Sequence, residues 1–179
     1  MKPIIILVAP QMGENIGAVA RAMKNFGLHE LRIVTPRDGW PNEKADSMSV
    51  GAIDIIKNAT VFDELPKAIA DLEYIYATTA TPRDMNKNYV LTKDLSKKNL
   101  SPKTGIMFGR ENCGLTNEEI SYANTILTID TDPDFSSLNI AHSVAIVCYE
   151  LFKAEARDEL SNTQELCTKE ELEYFFEHL

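Results

Sequence analysis

Ser136, Ser137 and Asn139 stand directly ahead of an apolar run that reaches Leu151. Side-chain oxygens in those places can cap the first turn of a helix, and the free N–H groups of that turn can meet a ligand. The same residues read equally well as the N-cap of an ordinary core helix. Three further stretches share their small, polar character: Gln11 to Gly17, Thr78 to Arg83 and Gly109 to Thr116, with Asp130 to Ser137 leading into the serine pair. Each follows a segment that reads as a strand. In open α/β sheets ligands bind outside the carboxyl ends of the strands, so these loops are candidates for one shared crevice. The usual nucleotide signatures are absent. The first loop lacks G-x-G-x-x-G, the second strand ends in Thr35-Pro36 rather than an acid, and Gly109 to Thr116 lacks G-x-x-x-x-G-K-[ST]. Cys113, Cys148 and Cys167, with His29, His142 and His178, are scattered without metal-ligand spacing, which argues against structural zinc and disulfides.

The elements that must carry these loops alternate strand and helix. Ile4 to Ala9 is an unbroken apolar run and predicts a central parallel strand buried on both faces. The loop QMGENIG then leads into a helix with Ile16, Val19, Ala20, Met23 and Phe26 on one face, closed by Gly27. Leu31 to Val34 is a second strand, so the opening is a βαβ unit of an α/β fold. A long connection, Thr35 to Ala45, follows, then a helical stretch from Ser47 to Lys57, a brief strand at Val61 and Phe62, and a helix capped by Asp63 that reaches Asp71. Tyr74 to Thr78 is a strand. Lys87 to Lys103, with five lysines, reads as a surface connection. Gly105 to Phe108 is a strand, Thr116 and Glu119 form a capping box for a helix from Asn117 to Tyr122, and Ile126 to Ile129 is the last strand. The helix that follows has two apolar series. Leu138, Ala141, Ala145, Cys148 and Phe152 make one, and Ile140, Val144, Val147 and Leu151 the other, so it needs cover on two sides. After a linker, Thr168 to Leu179 resumes an amphipathic pattern.

The chain has 179 residues, enough for one domain and a small appendage, and its 44% hydrophobic and 25% charged residues are ordinary for a globular protein. No apolar run approaches a membrane span and the first residues do not form a signal peptide, so a cytoplasmic location is expected. A net charge of −9 is unusual for a nucleic-acid binder. From Glu150 onward, however, nine acids face three bases, leaving the first 149 residues at only −3. A local basic face therefore remains open.

Three motifs occur in order: N-x-G-x-x-A-R-A-M-K-x-x-G (Asn15 to Gly27), F-G-R-E-x-x-G-L-T-N-E-E (Phe108 to Glu119) and S-S-L-N-x-A-x-x-V-x-x-x-x-Y-E (Ser136 to Glu150). Together they resemble the motifs of the SPOUT RNA 2′-O-methyltransferases, most closely those of the bacterial TrmJ type, over roughly Ile4 to Phe152. The resemblance implies a Rossmann-like parallel sheet with a carboxyl-terminal trefoil knot over residues 1–158, a homodimer that would give the doubly apolar helix its second cover, and S-adenosylmethionine as methyl donor. It implies no metal and no membrane. Carried over by position, Thr78, Thr79, Ala80, Gly109, Glu111, Gly114, Leu115, Ile129, Ser136, Ser137, Leu138 and Asn139 would surround the donor. Much of that recognition would be by backbone groups, where a large side chain would hold the adenine away. Without the resemblance, Gly109 and Gly114 read as turn glycines.

Arg21 matches the family's catalytic arginine, although a lone arginine on an amphipathic helix is ordinarily a solvated charge. A guanidinium has a pKa above about 12 and is a poor base, so the expected role is a cationic clamp on phosphate and developing alkoxide, with phosphate, water or another side chain taking the proton. Asn15 is expected to position the ribose or the arginine, or to cap the helix, and Glu111 to orient Arg110 or its loop. The resemblance implies tRNA as substrate, methylated at position 32 of the anticodon loop; rRNA methylation and a non-catalytic nucleotide-binding module are the alternatives. TrmJ-like chains continue into a helical extension, and residues 159–179 would be a linker and its beginning, so weak tRNA binding is expected of this chain.

Overall fold

A computed structural model describes residues 2–80, 86–98 and 100–155. The linker and amphipathic helix expected after residue 158 lie outside these residues, as does the end of the Thr78 to Arg83 loop. The strands are β1 (Ile4–Val8), β2 (Leu31–Val34), β3 (Thr60–Phe62), β4 (Tyr74–Thr78), β5 (Asn88–Leu91), β6 (Thr104–Phe108) and β7 (Thr125–Thr128). The helices are α1 (Gly13–Asn25), α2 (Glu43–Met48), α3 (Ile53–Asn58), α4 (Leu65–Ile69), α5 (Asn117–Ser121) and α6 (Ile140–Glu155). All seven strands run parallel in one sheet of order β3-β2-β1-β6-β4-β7-β5. Among the described residues no helix is long and apolar enough to cross a membrane.

Strand alternation divides the core in two. Ile5 and Leu7 of β1 face α1, α3 and α6, where they meet Ile16, Met23, Ile55, Val144 and Val147. Ile4, Ile6 and Val8 face the other way, toward Leu65 and Ala68 of α4 and Ile120 of α5. Every residue of β1 is therefore buried, as the unbroken apolar run predicts. Burying each such side chain stabilises the fold by about 1.5–3 kcal/mol. Gly17 lets α2 lie against α1, since a Cβ there would stand 2.4 Å from Ala45 O.

Several expectations need correction. The stretch from Ser47 to Lys57 is not one helix, because Val50 (φ 22) and Gly51 (φ 77) are left-handed and break the ladder between α2 and α3. The connection before it is shorter than expected, since Asn42 caps α2 by accepting from the backbone N–H groups of Lys44 and Ala45. Asp63 does not cap α4; Glu64 occupies that place without a side-chain bond, and Pro66 sets the first turn. Nor does α4 reach Asp71, whose carboxylate takes a two-pronged bond from Arg32 at 2.6 and 2.8 Å and is held down at about 2 by it. The lysine-rich span from Lys87 to Lys103 is no mere surface connection. It holds β5, on the sheet edge, and a 3₁₀ helix, Thr92–Lys97, whose Leu95 is buried in the α6 side of the core.

In α6 the second apolar series is wholly buried, with Ile140, Val144, Val147 and Leu151 all in the core. The first is divided. Ala141 and Cys148 are buried, Leu138 lies before the helix, and Phe152 remains 41% exposed beside Tyr149 and Phe26. Burial drives the Cys148 thiol up to about 12.

Candidate active site

The carboxyl ends of β4, β6 and β7 open into a cavity of about 270 Å³. Its walls are Thr78, Thr79 and Ala80 at the end of β4, Phe108 to Gly114 at the end of β6, Leu127 of β7 with Ile129 and Thr131 beyond it, and Ser136, Ser137, Leu138, Ile140 and Ser143 around the start of α6. The sheet order explains the meeting of these loops: β6 sits between β1 and β4, so segments far apart in sequence end side by side.

A directed chain of hydrogen bonds crosses the rim. Asn139 caps α6, its Oδ1 accepting from Ala141 N–H at 2.8 Å. Its Nδ2 donates to Asn15 Oδ1 at 3.1 Å, and Asn15 Nδ2 donates to Glu111 Oε1 at 2.8 Å. The other carboxylate oxygen of Glu111 accepts from the backbone N–H of Gln11 at 2.8 Å. All the donors thus point toward one acceptor-only carboxylate, which fixes both amide orientations and joins the loops after β1, β6 and β7. Asn15 does not cap α1, whose N-cap is Met12; it lies in the first turn with its side chain turned to Glu111. Glu111 does not orient Arg110 either.

Arg110 pairs instead with Glu119, through a fork at 2.9 and 3.0 Å. Burial works to raise the Glu119 carboxyl, but the Arg110 fork and the Thr116 N–H outweigh it and hold the group below the usual carboxylate range. Thr116 and Glu119 complete the expected capping box at α5. Arg110 and Gly114 also exchange backbone bonds, Arg110 N–H to Gly114 O at 3.2 Å and the reverse at 2.9 Å. They close a tight loop in which Gly114 adopts φ 69. Gly109 is small for a reason other than ligand approach alone: a Cβ there would come within 2.2 Å of Gly114 C and Leu115 N.

Of the expected donor-binding residues, Thr78, Thr79, Ala80, Gly109, Glu111, Gly114, Ile129, Ser136, Ser137 and Leu138 line the cavity. Leu115 is buried beneath it in the α5 side of the core, and Asn139 stands at the rim through Asn15. The Thr78 hydroxyl is committed to Met107 O at 2.8 Å. Neither Asn15 nor Arg21 is part of the lining. Six residues along α1 place Arg21 about 120° around the axis from Asn15 and about 9 Å further on, where it is exposed. Sequence reasoning missed Phe108, Leu127, Ile140 and Ser143, and had Thr131 only as part of the Asp130 to Ser137 loop. Phe108 and Leu127 read only as strand residues, while Ser143 is the first small polar residue one turn past the Asn139 cap, a signal that was available.

The profile of the SpoU rRNA Methylase family matches residues 2–149 of this chain. The chain belongs to the SpoU methylase family. The matched span of this SpoU methylase takes in every residue of the cavity and of the rim network. It is 37% identical over 159 residues to the tRNA (cytidine-2′-O-)-methyltransferase TrmJ of Methanocaldococcus jannaschii, covering 86% of this chain and 69% of that protein. Against the tRNA (cytidine/uridine-2′-O-)-methyltransferase TrmJ of Photorhabdus laumondii the identity is 34% over 184 residues, 98% of this chain and 76% of the relative. The crystal structure of TrmJ from Z. mobilis ZM4 superposes with a TM-score of 0.81 at 41% identity, over 99% of this chain and 78% of that one.

Proposed function

We propose that this SpoU methylase transfers a methyl group from S-adenosylmethionine to a ribose 2′-hydroxyl of tRNA, in the anticodon loop. Its similarity to proteins named as tRNA 2′-O-methyltransferases supports the reaction and substrate. The observation that carries the reading is the Asn139–Asn15–Glu111 chain, which ties a directed set of polar groups to the lip of a cavity of about 270 Å³.

The cavity suits the donor. Phe108, Leu127, Ile129, Leu138 and Ile140 offer apolar surface to an adenine, Ser136, Ser137 and Ser143 offer hydroxyls, and Glu111 offers negative charge to a cationic group. When bound, S-adenosylmethionine supplies a sulfonium-activated methyl group. The chain's own part is to align the ribose oxygen and stabilise charge as it develops there. Asn15 holds the rim in register. Arg21, exposed on α1 and outside the cavity of its own chain, is assigned the clamp on an RNA phosphate. The half-covered aromatic flank of α6 supports a homodimer, and the insertion of the late strand β6 between β1 and β4 supports the threaded carboxyl-terminal topology.

The family's description as rRNA methylases favours a second reading with the same site and a ribosomal substrate. Calorimetric titration with S-adenosylmethionine, then methyl transfer to purified tRNA and rRNA in parallel, tests both. Saturable binding and a ribose-methylated nucleoside in tRNA are expected; labelling of rRNA alone overturns the tRNA assignment.

A further inference from the structure

Phe135 is 77% exposed, more than any other large apolar side chain among the described residues. Its backbone is nonetheless pinned. The Phe135 N–H donates to Asp132 O at 3.1 Å, and the Asp134 N–H donates to Asp132 Oδ1 at 2.8 Å. Along the chain it is flanked by cavity wall on both sides, Thr131 before it and Ser136 directly after. An aromatic ring is thus presented to solvent beside the candidate active site, next in the chain to Ser136 of the cavity wall and at the end of an exposed run from Asp132 to Asp134. The same loop carries Asp130, Asp132 and Asp134, of which Asp130 is paired with Lys93 at 2.9 Å. A rim with that charge repels phosphate, so the part of an RNA it can accept is the neutral face of a base. Unstacked bases of single-stranded loops are held by RNA-binding proteins through aromatic stacking, which requires no particular sequence.

We propose that Phe135 is a stacking platform for an unpaired nucleobase of the RNA substrate, at or beside the methylated nucleotide. The inference rests on the reading that this chain methylates RNA. It separates two tasks: cationic residues elsewhere track the backbone, and Phe135 selects for a base that can leave its stack.

The test compares the wild-type chain with Phe135→Ala, Phe135→Leu and Phe135→Tyr. The probe is an anticodon stem-loop RNA with 2-aminopurine next to the mapped target nucleotide. Wild type and Phe135→Tyr should quench the probe, while Phe135→Ala and Phe135→Leu should not, and their KM for RNA should rise roughly ten-fold. S-adenosylmethionine binding should be unchanged in all four, as should the slope of RNA affinity against salt, because no phosphate contact is removed. Full activity in Phe135→Leu would overturn the proposal, since apolar area without a π face would then suffice. A flattened salt slope in Phe135→Ala would likewise overturn it, and so would dissociation of a homodimer, which would mean that a second copy covers the ring. Wild-type protein that methylates no RNA would remove the underlying reading and this inference together. Wild-type protein that methylates RNA while Phe135→Ala matches it would sink only the inference.

Discussion

Asn15 Nδ2 lies 2.8 Å from Glu111 Oε1, a bond between residues 96 positions apart that joins the first turn of α1 to the loop after β6. Because Asn15 Oδ1 simultaneously accepts from Asn139, the amide is fixed in one orientation and cannot be exchanged for a carboxylate of the same shape. Asn15→Asp would place two carboxylates in contact, removing the donated bond and setting like charges side by side. We expect Asn15→Asp to be less stable than Asn15→Ala at pH 8 by about 1–3 kcal/mol, with the gap closing as the pH falls and a shared proton restores the bond. Thermal melts across pH check this; an aspartate variant equal to wild type at pH 8 would show that the network is not directional.

Gly109 should be intolerant of even a methyl group. Its Cβ would meet the Gly114–Leu115 backbone at 2.2 Å, and neither side can yield without opening the Arg110–Gly114 bonds. Gly109→Ala is expected to lose about 1–3 kcal/mol in a denaturant melt and to weaken S-adenosylmethionine binding in parallel. Loss of donor binding with unchanged stability would instead indicate a direct steric clash in the cavity.

The Arg110–Glu119 pair predicts an acid-sensitive site. Glu119 has a folded pKa below its ordinary value of 4.5, so its stabilising contribution is full above that value and is shed as the pH falls through the lower folded value. Glu119→Gln should lower stability at neutral pH and flatten the acid limb of the stability profile. Parallel acid limbs in variant and wild type would contradict this.

Arg21 is predicted to act through its planar fork. Arg21→Lys retains the charge but cannot grip phosphate with two parallel bonds. Turnover should fall by about ten-fold or more, since a charge-assisted bond is worth roughly 1.5–3 kcal/mol, while donor binding measured by calorimetry stays unchanged. Wild-type turnover in the lysine variant would contradict the clamp.

Much of this architecture was legible in the residues. Apolar runs marked β1, β2 and β4, and the strand-end placement of the polar loops pointed to one crevice; those after β4, β6 and β7 line it, while Gln11 to Gly17 reaches only its rim. β5 and the Thr92–Lys97 3₁₀ helix stayed hidden because the lysines along the Lys87 to Lys103 span masked Leu95, which turns inward. The choice of carboxylate for Arg110 was invisible for another reason. Glu111 is adjacent in sequence, but the closed Arg110–Gly114 loop turns the guanidinium toward Glu119 and frees Glu111 for Asn15. Gly109 looked like a residue kept small for a ligand, whereas backbone crowding already forbids a side chain there. Such facts depend on which strands are neighbours, and the order β1-β6-β4 cannot be read from periodicity.

The most direct measurement is mass spectrometry of the nucleosides from tRNA incubated with this chain and isotopically labelled S-adenosylmethionine. The label should appear on a ribose 2′-oxygen at one anticodon-loop position and be lost with Asn15→Ala. Label on a base, or none on tRNA despite demonstrated donor binding, would contradict the account.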